Sequence, residues 1–140
     1  MKEFYPMHGI ITTVITPFRS GTKEIDWPSF RREIQACMDA GVAGFLVPCM
    51  ASEMNQLTHD EIIQEVKETV ALAHTKENCI VIPSITANDE ETRLLQCKEY
   101  LELGVDGLQG YFLAKPANIP ARIAPAARQI IENSHSSDCG

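Results

Sequence analysis

At 140 residues the chain has the length of one ordinary domain, and with 44% hydrophobic residues it can build a core. A net charge of −7 disfavours a polyanion-binding surface, so neither nucleic acid nor an anionic membrane is an expected partner. No apolar run approaches the ~20 residues that cross a bilayer, and residues 1–8 lack the basic flank and apolar stretch of a secretion signal. Cys37, Cys49, Cys79, Cys97 and Cys139 form no CxxC pair and have no histidine at ligand spacing. Reduced, mostly buried thiols in a cytoplasmic protein are expected, and no zinc site.

Residues 9–17 open the chain with the first of four short apolar runs; the others are 44–49, 79–85 and 106–112. Several are nearly continuous in apolar residues, as parallel strands covered on both faces are. A longer amphipathic segment follows each run. Asp26 is placed to cap a first helix that admits Pro28 in its opening turn, sets Phe30, Ile34 and Cys37 on one face and ends at Gly41. Thr58-His59-Asp60-Glu61 is a capping box, in which the hydroxyl and the carboxylate reciprocally satisfy orphan N–H groups. Behind it Ile62, Val66, Val70 and Ala73 make an apolar stripe. Asn88 or Asp89 opens a third helix, with Leu94, Cys97 and Leu101 inward and Gly104 at its end. A fourth helix is expected over residues 119–133, its start disturbed by Pro120 and Pro125.

Residues 41–46 (GVAGFL) echo residues 104–109 (GVDGLQ), each pair of glycines joining a helix end to a strand. Alternating β and α elements with short connections imply right-handed parallel crossovers and an α/β fold. Four such units fit either a small open sheet or half of a closed barrel. Neither GxGxxG nor GxxxxGK[ST] occurs, so no phosphate cradle decides between them.

Residues 9–18 (GIITTVITPF), Ile25-Asp26, residues 41–47 (GVAGFLV), Glu53 and residues 57–61 (LTHDE) together resemble the opening of the dihydrodipicolinate synthase and N-acetylneuraminate lyase family. Residues 81–84 (VIPS), Ala87-Asn88, residues 104–107 (GVDG), Tyr111-Phe112 and Lys115-Pro116 continue the likeness, which runs from about residue 9 to 130. The resemblance implies a (β/α)8 TIM barrel, of which residues 1–133 supply about the first four βα units, with a disordered tail at 134–140. The active site is then expected at the C-terminal ends of the strands. It further implies a lyase or class I aldolase acting on a 2-oxo acid such as pyruvate through a lysine Schiff base, with no cofactor and no metal. The expected partners are that small acid and further copies of the chain in a homo-oligomer.

Residue by residue, the family's carboxylate-binding GTTGE loop corresponds to residues 49–53 (CMASE), which makes Met50 and Ala51 the substrate-binding candidates. A thioether and a methyl replace two hydroxyls there, leaving backbone N–H groups as the donors. Glu53 keeps the family's acid and is also suited to accept backbone hydrogen bonds at a loop-to-helix junction. The family's PYYxKP segment corresponds to residues 110–116 (GYFLAKP), which makes Tyr111 the catalytic candidate for proton transfer. The Schiff-base lysine belongs to a strand beyond residue 140. Lys115 is the nearest substitute by position, whereas Lys67, Lys76 and Lys98 read as surface charge. The chain is therefore expected to be a truncated, inactive copy of such an enzyme. The alternatives are a non-catalytic half-barrel acting through assembly, and an unrelated open-sheet binding module.

Overall fold

A computed structural model of the chain describes residues 8–85, 87 and 89–110. Tyr111, Lys115, the expected fourth helix and the tail lie outside them. His8–Gln109 pack as one compact unit. Its elements run β1 (Ile11–Thr13), α1 (Trp27–Asp39), β2 (Gly44–Leu46), α2 (His59–Ala73), β3 (Ile80–Val81), β4 (Ser84–Ile85), α3 (Glu90–Glu102) and β5 (Gln109–Gly110).

The strands are parallel and lie side by side in chain order. β1 pairs with β2, Thr12 opposite Phe45, and β2 pairs with β3, Phe45 opposite Val81. The third apolar run is interrupted because Pro83 has no N–H to give to a ladder. Ile82 still donates to the Phe45 carbonyl and Ser84 to that of Pro48, so β3 and β4 follow β2 as one line. Asp106 and Gln109 donate to Val81 and Pro83 in turn, which brings β5 along the outer edge of that line in the same direction. A 1-2-3-4 order of the four apolar runs is what a barrel wall requires, and an open doubly wound sheet would have placed the first strand centrally.

The helices form where the local signals lie. Asp26 caps α1 through the Ser29 N–H, with a proline in the first turn, and Gly41 leaves the helix at φ 90°. The buried face of α1 is Phe30, Ile34 and Met38. Cys37, expected inward, is only half-buried at the flank, because a strict four-residue step favours Met38. On α2 the Thr58–Glu61 capping box closes in both directions, and Ile62, Val66 and Ala73 are buried while Val70 is partly so. On α3 the cap is Asp89, and the buried residues are Gln96, Cys97 and Tyr100. Leu94 and Leu101, expected inward, are half-buried, since the large Tyr100 ring takes the central position.

Two apolar clusters result. Val14, Phe45, Val47 and Val81 project to the helix side and meet Phe30, Ile34 and Met38 of α1. Ile62 and Val66 of α2 meet Ile85 of β4 with Cys97 and Tyr100 of α3. Arg31 holds Glu68 with two parallel hydrogen bonds, Nε to Oε2 at 2.7 Å and Nη2 to Oε1 at 2.5 Å, clamping α1 to α2. Among the described residues no helix is long and apolar enough to cross a membrane.

Candidate functional site

Three strand ends meet around one short turn. After β2 the chain passes through a cis Val47–Pro48 peptide and makes a 3₁₀ turn, Met50–Ser52, that closes with Glu53 in the left-handed region at φ 55°. The Ser52 N–H bonds the Cys49 carbonyl and the Glu53 N–H that of Met50. Such a turn leaves its opening N–H groups without an internal acceptor. Met50 is 63% exposed, and Ala51 and Glu53 are exposed as well.

The underside of the turn is buried and polar. Ser52, fully buried, donates its hydroxyl to the Val14 carbonyl at the end of β1, and the same oxygen lies 3.3 Å from the Cys49 nitrogen and 3.4 Å from its Sγ. Thr16, also at the end of β1, places its Oγ1 2.6 Å from the Ser52 carbonyl oxygen. It lies at the same 2.6 Å from Glu65 Oε1 of α2. The Pro48 carbonyl, at the end of β2, accepts from Ser84 of β4. The C-terminal ends of β1, β2 and β4 thus converge, while the end of the fourth run at Tyr111 lies outside the described residues.

Glu65 is fully buried, and its Oε2 has no hydrogen-bond partner among the described residues. Burial pushes its carboxyl up to about 7, and the acidic Glu61 and Glu33 add to this; a proton donated by the Thr16 hydroxyl would favour the charged form instead. Sequence reasoning missed Thr16, Ser52 and Glu65. The available signal was Glu65's position inside the α2 stripe, three residues after Ile62, with Glu61 and Thr69 rather than a base at four-residue spacing.

The lysines fall elsewhere. Lys67 and Lys98 lie exposed on the helices. Lys76 departs from the surface-charge expectation: its Nζ donates to the Met38 and Val42 carbonyls at 3.2 and 3.4 Å, satisfying the C-terminal end of α1. That places it at the opposite ends of the strands from the turn. Asp106 likewise serves the N-terminal side, accepting from Val81 N–H and pairing with His74 Nε2 at 2.8 Å.

Parallel strands in chain order, helices on one face and a polar turn at the C-terminal ends of the described strands fit part of a (β/α)8 barrel. A family model, that of the dihydrodipicolinate synthetase family, matches residues 6–113. The chain belongs to that family. Relatives include a 4-hydroxy-tetrahydrodipicolinate synthase of Leptospira biflexa, 32% identical over 103 residues, covering 71% of this chain and 33% of that protein. One from Oenococcus oeni is 35% identical over 72 residues, covering 51% of this chain and 24% of its own length. The chain therefore spans about a third or less of these relatives. Among solved structures, the dihydrodipicolinate synthase of Aquifex aeolicus superposes with a TM-score of 0.73 at 23% identity, over 89% of this chain and 42% of that one. The 4-hydroxy-tetrahydrodipicolinate synthase of Methylacidiphilum fumariolicum gives 0.75 at 20% identity, over 89% and 41%.

Proposed function

We propose that this chain carries the carboxylate-binding side of a lyase site that handles a 2-oxo acid through a Schiff base, the lysine coming from outside the 140 residues. The observation that supports this most is the Met50–Ser52 turn, presented at the shared C-terminal ends of consecutive strands. Met50 and Ala51 would bind the acid's carboxylate through their backbone N–H groups. Tyr111 would move the proton between substrate and solvent. Loss of two hydroxyls relative to the family's loop weakens anion binding and favours an oxo or hydroxy acid other than pyruvate. The exposed Ile10 and Ile15, 71% and 60% accessible, support a second reading in which the half-barrel acts only by assembly.

Titration of the ¹⁵N-labelled chain with pyruvate tests the binding role. The amide signals of Met50 and Ala51 are expected to shift first and furthest. Met50→Thr combined with Ala51→Thr should bind more tightly, since each well-placed bond to a carboxylate contributes roughly 1.5–3 kcal/mol. Shifts confined to other regions, or weaker binding by the double variant, would remove the turn from the site.

A further inference from the structure

Thr16 has one hydroxyl proton and two oxygens at 2.6 Å, the Ser52 carbonyl and Glu65 Oε1. A carbonyl oxygen only accepts, so the contact to Ser52 requires that Thr16 donate there. The contact to Glu65 is then a hydrogen bond only if the carboxyl donates to Thr16. Were Glu65 ionised, Thr16 would turn its proton toward the charge, and its oxygen would face the Ser52 carbonyl lone pair to lone pair. The remaining carboxylate oxygen argues the same way. Oε2 is buried without a partner, which is tolerable for the carbonyl oxygen of a neutral acid and far worse for half of a carboxylate. The charges that bear on the group are acidic, Glu61 on α2 and Glu33 on α1, and the Glu33 carboxylate is itself engaged by the Ile15 N–H. From α3, Tyr100 faces it as a buried phenol whose ionisation the Glu65 charge would further disfavour.

We propose that Glu65 is a positioning residue that holds the Met50–Ser52 turn only in its neutral form, through a directed relay from Glu65 O–H to Thr16 O–H to the Ser52 carbonyl. Deprotonation turns the Thr16 proton toward Glu65, so that the bond to the Ser52 carbonyl is lost and the turn's underside is released. On the reading that the turn receives a carboxylate, the neutral acid also keeps a negative charge from standing behind the ligand. The relay itself is independent of any ligand, and its test uses none.

The sign follows from where the proton sits. Below pH 4.5 the carboxyl is protonated whether the chain is folded or not. Between 4.5 and about 7 the unfolded chain has released the proton while the folded one keeps it, so rising pH weakens folding. Above about 7 that dependence ends. Glu65→Gln keeps a donor toward Thr16 and has no proton to lose. The ratio of wild-type to Glu65→Gln folding constants, from urea unfolding, is expected to fall about tenfold per pH unit across that window and then level off.

A readout that general packing would not move is amide exchange in the turn. At pH 5, Ser52 and Glu53 should exchange at wild-type rates in Glu65→Gln and in Thr16→Ser, and at least tenfold faster in Thr16→Val. If the variants do not fold, ¹³C titration of the Glu65 carboxyl in the wild-type chain decides alone. A midpoint near 7 supports the relay; a midpoint near 4.5, a flat stability ratio, or unchanged exchange in Thr16→Val would overturn it.

Discussion

Gly44 shows how narrowly a single residue fixes the strand spacing. A Cβ placed there would stand 2.6 Å from the Ile80 carbonyl oxygen and 2.5 Å from its Cγ1, distances that neighbouring backbone cannot relieve without moving β3. Gly44→Ala is expected to destabilise the chain by about 1–3 kcal/mol in urea unfolding, the range of an overpacked core site. Gly107, its counterpart in the internal echo, would meet Ile82 only at 3.5 Å, an ordinary contact. Gly107→Ala should therefore be nearly neutral, and equal losses at the two sites would contradict the packing described. The echo was legible in the sequence, but this difference was not, because it depends on which side chain the neighbouring strand brings opposite. Glu65 was hidden for a related reason. An acidic residue among apolar neighbours reads as a helix's solvent side until the fold places Thr16 against it.

At the scale of elements, ends were easier to read than faces. Capping depends on residues a few positions apart, so Asp26, Thr58, Gly41 and Gly104 could be assigned before any packing was known, and the third cap narrowed to Asn88 or Asp89, of which the fold uses Asp89; both glycines do take positive φ, 90° and 83°. Inward faces depend on the partner, and there Met38 displaced Cys37, and Tyr100 with Gln96 displaced the two leucines of α3. The strands were recognised as four runs, yet each ladder is shorter than its run, and Pro83 divides the third. The capping box of α2 gives the clearest test at this scale. Thr58 Oγ1 accepts from Glu61 N–H at 3.3 Å, and Glu61 Oε2 accepts from Thr58 N–H at 2.8 Å. Thr58→Ala should lose about 1 kcal/mol of stability in thermal or urea unfolding, with Thr58→Ser close to wild type. An unchanged Thr58→Ala would mean that α2 is held by its buried stripe and the Arg31–Glu68 clamp alone.

For the whole molecule, family and fold were legible because many weak motifs occur in the right order, although none suffices singly. The candidate site was legible only in part. Met50 and Ala51 do lie at the strands' C-terminal ends, while the buried polar support beneath them comes from three segments distant in sequence. Among the described residues β1 and β5 are the outermost strands, and Ile10 and Ile15 are exposed near the first. Self-association in light scattering is the expected consequence. Incubation with pyruvate and borohydride followed by intact-mass measurement tests most directly the proposal that this chain holds a carboxylate turn without the reacting amine. No covalent adduct is expected. A single specific adduct, abolished by Lys115→Ala, would contradict it and make the chain a Schiff-base enzyme in its own right.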